Sequence, residues 1–206
     1  MVLIPLVLLF LAPLPPTSGA AVLEYIQDHR LVYLVELVCF VGLSIPALVA
    51  FCAWTVALWP GDRSLALLGG VLGVSSEVTA LAVGSSPQSL NGGLLVLSDA
   101  YRSATPRERA GLASAADAVV ATTNAMPWAG VLTAAGILVL SLAMRRASFP
   151  RALGLLGVVT GALGMVSEAL RPDIESAYLL YGLLLPTWFV LTGWQLRAMA
   201  GRERRR

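Results

Sequence analysis

The chain has 206 residues, 57% of them hydrophobic and 13% charged, with a net charge of +2 and a mean hydropathy of +0.79. Because soluble domains carry about 25% charged residues, this composition excludes an ordinary soluble domain and is typical of a chain surrounded by lipid. There is no lysine and one histidine, His29, which excludes Schiff-base chemistry and multi-histidine metal sites. We therefore predict no cofactor and no metal.

Six apolar segments follow one another along the chain, at about 2–14, 31–59, 65–84, 118–144, 152–170 and 178–196. A helix needs about 20 residues to cross a bilayer, and most of these segments approach or exceed that length. The sequence therefore predicts an all-α fold, a polytopic transmembrane bundle of six helices in a single domain over residues 1–206. The over-long second segment is expected to tilt, to break near Pro46 or to extend past the membrane.

The first segment, 2–14, allows two interpretations. It is short for a span and contains Pro5 and Pro13, so it is either a short first helix or the apolar region of a signal peptide. The small residues Ser18-Gly19-Ala20 would suit cleavage, although no arginine precedes the run. Cleavage would leave five spans, and both interpretations place the following loop outside.

The loop 85–117 is predicted to be external and to contain helix. Thr105-Pro106-Arg107-Glu108 has the pattern of a capping box with proline in the first helical position. A helix should therefore begin there and could continue into the fourth span. A second short helix is predicted from about Leu90 to Tyr101.

An internal repeat appears when the chain is shifted by 88 residues. Each copy is a hairpin with an arginine in its turn, and the returning helix begins with GxxxG, a pattern that lets helix backbones approach closely. The shift also pairs Gly42 with Gly130. We predict a homo- or hetero-oligomer through the GxxxG glycines, which are Gly69, Gly73, Gly157 and Gly161.

The distribution of arginine predicts the orientation. Alternate loops assign nine arginines to one side and five to the other, so the positive-inside rule makes the first side cytoplasmic. This predicts a multi-pass protein of the plasma membrane with a basic cytoplasmic tail at 197–206. Such a tail is an ordinary topology anchor, so the bilayer and not a nucleic acid is the expected partner. Most tryptophans lie near span ends, as interface residues do.

Three glutamates, Glu36, Glu77 and Glu168, lie in the apolar segments. The last two end near-copies of one phrase, Leu72-Gly73-Val74-Ser75-Ser76-Glu77 and Leu163-Gly164-Met165-Val166-Ser167-Glu168. Because an ionisable group is costly at membrane depth, it marks a candidate functional site. At 1.5 Å per residue, Glu77 lies roughly 18 Å into its span.

The repeat pairs Glu36 with Asn124, so we predict an outward-open polar cavity lined by Glu77, Glu168, Glu36 and Asn124. Each has a structural alternative. Glu36 could lie among the lipid head groups and Glu168 in a surface ion pair. Glu77 could be a protonated carboxyl that joins two helices, and Asn124 could form a hydrogen bond between helices.

Three functions follow from these alternatives. A non-catalytic structural, regulatory or accessory protein would use the carboxyls for packing. A small-molecule or cation binder or transporter would use the acidic cavity. An intramembrane enzyme would use paired carboxyls as acid and base on a lipophilic substrate. A transporter needs a polar path through the cytoplasmic half, where the sequence offers little beyond Thr55, Thr133 and Ser141. We favour the non-catalytic protein, with its activity unassigned.

Three motifs resemble a bacterial multi-pass family known as domain of unknown function 4386. They are the turn and helix from Phe149-Pro150-Arg151 to Gly157, the loop from Asp99-Ala100-Tyr101-Arg102 to Leu112, and the helix end Trp194-Gln195-Leu196-Arg197. The similarity extends from about residue 22 to 200. It implies six helices and no assigned activity, and the short first segment departs from the family's fuller first helix.

Overall fold

The structure, a computed structural model, describes residues 15–83, 90–125, 128–147, 149–170 and 175–203, without the side chains of 124–125, 175–179 and 202–203. The regular structure in these ranges is entirely α-helical, which confirms the all-α class. The helices are α1 (Gly19–Asp28), α2 (Arg30–Phe40), α3 (Ser44–Leu58), α4 (Arg63–Val83), α5 (Gly92–Ser103), α6 (Pro106–Ala125), α7 (Trp128–Met144), α8 (Arg151–Ala169) and α9 (Glu175–Glu203).

By length and composition, four stretches of the described chain could cross a membrane. They are Arg30–Leu58, Arg63–Val83, Pro106–Met144 and Arg151–Ala169. They match the second to fifth predicted segments, which confirms those four. The predicted segment 2–14 lies outside the described residues, and 178–196 lies within α9, which is not one of the four. The count of six spans therefore stays a prediction.

The over-long second segment breaks close to Pro46, which is one of the three alternatives that the sequence left open. The helix α2 ends at Phe40, and α3 begins at Ser44 after a short turn. Pro46 is the third residue of α3, where its missing N–H removes no helical hydrogen bond. A proline at this position favours the start of a new helix over continuation of the old one.

The chain divides into two compact units. The first comprises Met1–Ser44 and Thr79–Met126, and the second comprises Ile45–Val78 and Pro127–Arg206. The single domain expected over the whole chain stays a prediction. Each unit has its own buried cluster, so each is described by itself.

In the first unit, α1 packs closely on α6. Gly19 donates its backbone N–H to Asp117 Oδ1 at 2.5 Å, and a Cβ at Gly19 would overlap the carbonyl of Ala113. Ser98 Oγ of α5 donates to the carbonyl of Leu23 at 2.8 Å. The buried cluster of this unit contains Val22, Leu23, Tyr25, Ile26, Tyr33, Leu90, Leu94, Tyr101, Ala116 and Val120.

The described part of the predicted external loop contains both expected helices. Asn91 caps α5 by accepting the N–H of Gly93 at 2.8 Å. Glu108 Oε2 accepts the N–H of Thr105 at 2.8 Å, and α6 begins at Pro106, which confirms the predicted helix start and one half of the capping box. The Thr105 hydroxyl donates to the same Glu108 oxygen. Whether α6 continues into α7 depends on residues 126–127, which lie outside the description.

The second unit is built from two hairpins, α3–α4 and α7–α8, together with α9. The four GxxxG glycines lie in helix contacts inside this unit. A Cβ at Gly69 would be 2.7 Å from the side chain of Leu140, and one at Gly161 would be 2.6 Å from the carbonyl oxygen of Ala134. These glycines therefore bring the helices of one chain together. An oligomer through the same residues stays a prediction and would require these contacts to be exchanged.

Two tryptophan side chains lie at the centre of the second unit. Trp54 and Trp188 are buried, with ring centroids 4.6 Å apart. Trp59, Trp128 and Trp194 are exposed, as interface residues would be. The expectation that most tryptophans lie near span ends stays a prediction, and two of the five belong to the packed interior of this unit.

Asp62 joins the turns of the two hairpins. Its Oδ1 accepts the N–H of Leu65 at 3.0 Å and so caps α4, while its Oδ2 accepts from Arg146 Nη1 at 2.5 Å. Both hydrogen bonds lower the pKa of Asp62 from its usual value, and the bond from Leu65 has the larger effect. The carboxylate therefore stabilises both the start of α4 and the contact between the turns.

We expect Asp62→Asn to lower the midpoint of thermal unfolding at neutral pH, because asparagine keeps the cap and loses the ion pair. A carboxyl whose pKa is lower in the folded than in the unfolded protein stabilises the fold fully above its unfolded pKa, about 3.9. That stabilisation is lost as pH falls through the folded pKa. The difference from wild type should therefore shrink below about pH 4. Unfolding in detergent as a function of pH measures it, and Asp28→Asn at an exposed position is the control. A difference that is constant with pH would contradict the prediction.

Candidate functional site

Glu168 packs directly on the backbone of α7. It is 3% exposed, and a Cβ at Gly130 would overlap its carboxyl group. On α8 it continues the stripe of Gly157, Gly161 and Gly164, which brings α8 close to its neighbours in the same unit. The missing side chain at Gly130 therefore creates the space that this carboxyl occupies.

Ser76 makes the corresponding contact from α4. Its buried hydroxyl donates to the carbonyl of Ala129 at 2.7 Å and contacts Thr133 Oγ1, which itself donates to Ala129 at 3.0 Å. Glu77 follows Ser76 and is 7% exposed. Since Ala129 and Gly130 are consecutive, Ser76 and Glu168 contact the same turn of α7.

The structure thus brings Ser76 and Glu168 onto the first turn of α7, and Glu77 is the residue of α4 that follows Ser76. We call Ser76, Glu77, Thr133, Ser167 and Glu168 the carboxyl centre. Ser167 is fully buried, and neither glutamate is free of partners in the chain. The polar side-chain atoms of the centre are all oxygens, which can form hydrogen bonds, hold protons or bind a hard cation. Within the described ranges, no group of three or more His, Cys, Asp or Glu side chains could hold a metal ion.

Glu36 and Asn124 belong to the first unit. Glu36 lies on α2 and is 1% exposed, and its Oε2 has no hydrogen-bond partner among the described atoms. Burial and, secondarily, the charge of Glu36 raise the pKa of Tyr25 on α1 to about 12. The backbone of Asn124 is part of α6, while its side chain lies outside the description. The cavity expected from all four residues therefore stays a prediction.

Two features of the second unit escaped the sequence-based assignment of sites. Gly130 appeared only as a partner of Gly42 in the repeat, although a glycine at the start of an apolar helix is a signal of close approach. The buried Ser141 Oγ and Trp188 Nε1 both lie beside Gly157, and neither has a hydrogen-bond partner among the described atoms. No spacing in the sequence indicates that these two groups meet.

Comparison with models of protein families, with curated proteins and with solved structures finds no match for this chain. The resemblance to domain of unknown function 4386 therefore stays a prediction.

Proposed function

We propose that this chain is a non-catalytic integral membrane protein with a structural, regulatory or accessory role, in which the carboxyl centre holds helices together. The observation that supports this most is the placement of the Glu168 carboxyl on the bare backbone of Gly130. A polar side chain in lipid stabilises a helix bundle when it finds a partner on a neighbouring helix. The proposal includes six spans in the plasma membrane and a cytoplasmic C-terminus.

The hydrogen bonds of Ser76 support the same role. Its hydroxyl reaches the carbonyl of Ala129 on another helix, at a buried position where an unpaired hydroxyl would be costly. Together with Glu168 on Gly130, this joins α4, α7 and α8 around a single turn. The polar residues then hold neighbouring helices together by hydrogen bonding and require no ligand.

The adjacent turns of the two hairpins support one part of the proposed topology, that both turns lie on the same side of the membrane. The Asp62–Arg146 ion pair places the α3–α4 turn beside the α7–α8 turn. Both turns carry arginines, and the positive-inside rule is the ground for proposing that this side is cytoplasmic.

Under this proposal we expect Glu168→Gln to leave stability nearly unchanged, because glutamine keeps the shape and the ability to form hydrogen bonds. Glu168→Leu should lose about 1–3 kcal/mol, because its former partners remain buried and unsatisfied. Unfolding of the purified protein in detergent measures both, with Glu24→Gln at an exposed position of α1 as the control. Exchanging Na⁺, K⁺ and choline at constant ionic strength should not move the midpoint.

A second function, binding of a monovalent cation or a proton by the carboxyl centre, is favoured by one observation. Glu168 and the hydroxyls of Ser76 and Thr133 lie at the same turn of α7, and the buried Glu77 and Ser167 are their neighbours in sequence. A ligand that binds only the folded state stabilises it. If Na⁺ or K⁺ selectively stabilises the wild type and not Glu168→Gln, the carboxyl centre binds a cation, and the purely structural role is wrong.

A further inference from the structure

A groove of about 440 Å³ opens on the second unit where its two hairpin turns meet. It is lined by Leu65 from the first turn of α4, by Leu142 near the end of α7, and by Arg145 and Arg146 just after α7. The turns are held together by the Asp62–Arg146 ion pair. The groove therefore lies at a contact between the two hairpins, and the ion pair stabilises that contact.

The charge around this groove is strongly positive. The two turns carry one acidic residue, Asp62, and four arginines, a net charge of +3. The arginines are all exposed, and they are Arg63, Arg145, Arg146 and Arg151. Because Asp62 is engaged by Arg146, the remaining positive charge is uncompensated by the other side chains of these turns.

Arg145 has the geometry of an anion-binding residue. Its stem lies along the first turn of α8, where a Cβ at Gly154 would be 3.0 Å from Arg145 Cγ. In the described part of the chain, Arg145 makes no ion pair. Its guanidinium, with five donors in a fixed plane, is thus held at the groove and available to a phosphate.

The other half of the groove is apolar. Leu65 is half-buried and Leu142 is exposed, and each lies within one turn of the end of a stretch that could cross a membrane. At that depth, hydrocarbon gives way to lipid head groups. A ligand here would meet guanidinium groups on one side and leucine side chains on the other.

We propose that this groove binds an anionic phospholipid, with the head-group phosphate at Arg145 and Arg146 and the start of an acyl chain against Leu65 and Leu142. Charge complementarity selects an anionic over a zwitterionic lipid, and the leucines select a lipid over a soluble anion. Basic pockets between membrane helices at the head-group level are suited to such lipids. This inference is independent of the role of the carboxyl centre.

The test is a titration of the full chain in detergent with phosphatidylglycerol, followed by native mass spectrometry. Each arginine near a membrane surface contributes about 1 kcal/mol, or about fivefold in affinity. Arg145→Gln should therefore weaken binding about fivefold, and the double variant with Arg146→Gln roughly 25-fold. Arg102→Gln with Arg107→Gln, two exposed arginines of the first unit, is the matched control and should bind as the wild type does.

Further measurements distinguish a lipid from a soluble anion and test for misfolding. Phosphatidylcholine should bind much more weakly than phosphatidylglycerol, and inorganic phosphate should not compete. Arg145→Gln leaves the Asp62–Arg146 pair intact, so its fold should be preserved, and Arg145→Lys should recover most of the affinity. Equal binding of the two lipids, competition by phosphate, or unchanged binding in Arg145→Gln would each overturn the proposal. If the double variant fails to fold, the wild-type preference between lipids and the single variant still decide it.

Discussion

Replacing Trp188 with alanine is expected to destabilise the second unit by about 3–5 kcal/mol, as large-to-small changes at buried aromatic positions do. Trp188 is fully buried, with its ring centroid 4.6 Å from that of Trp54 and 5.6 Å from that of Phe189. In lipid, helices associate chiefly through such van der Waals packing, since the surrounding tails are as apolar as the side chains. Deleting the indole therefore removes contacts that nothing replaces.

The matched control is Trp194→Ala, six residues further along α9. Trp194 is 74% exposed, so its loss should change the free energy of unfolding by no more than about 0.5 kcal/mol. Trp188→Phe should lie between the two, because it keeps a ring and removes an indole N–H that has no partner among the described atoms. Denaturant unfolding in detergent, followed by fluorescence of the remaining tryptophans, measures all three. Equal losses for Trp188→Ala and Trp194→Ala would show that the aromatic cluster does not stabilise the unit.

Gly136→Ala is expected to cost about 1–3 kcal/mol, as overpacking of a tight contact does. A Cβ at Gly136 would be 2.9 Å from the backbone nitrogen of Gly73 and 3.1 Å from the carbonyl oxygen of Gly69. These are backbone atoms of α4, so they cannot move aside as a flexible side chain would. The two helices must separate, and neighbouring contacts along both are then weakened.

Gly193→Ala on α9 is the control for the change in helix propensity. No heavy atom lies within 4 Å of the added methyl group, and glycine in a helix interior is less stable than alanine by roughly 0.5–1 kcal/mol. The control should therefore be neutral or stabilising while Gly136→Ala destabilises. Thermal unfolding of both variants in one detergent makes the comparison, and a shift of the same sign in both would argue against close packing at Gly136.

Local sequence patterns predicted those features of the fold that depend on residues close together in the chain. The helix start at Pro106 is correct and Glu108 accepts the N–H of Thr105, because this hydrogen bond involves residues within one turn. The break near Pro46 is present, because proline restricts its own backbone wherever it occurs. Four segments were correctly predicted as span-length helices, because the width of the bilayer sets the length of an apolar run.

The candidate site was predicted only in part. The sequence placed Glu77 and Glu168 in apolar segments but left open a surface ion pair for Glu168, and both side chains are buried. The meeting of Ser76 and Glu168 at the first turn of α7 did not follow, because it depends on how α4 and α8 pack on a third helix. The same applies to the Asp62–Arg146 pair, whose partners are 84 residues apart in the chain.

Composition and local patterns are enough to predict a helical chain, four segments long and apolar enough to span a membrane, and the approximate starts of α5 and α6. Tertiary packing is needed to place Trp188 at the centre and Trp194 at the surface, Gly136 against Gly69 and Gly73, and Glu168 on Gly130. The difference arises from the solvent. In water a helix shows which face is buried by its apolar stripe, but in lipid all faces can be apolar, and the choice between them is made by the fit of side chains.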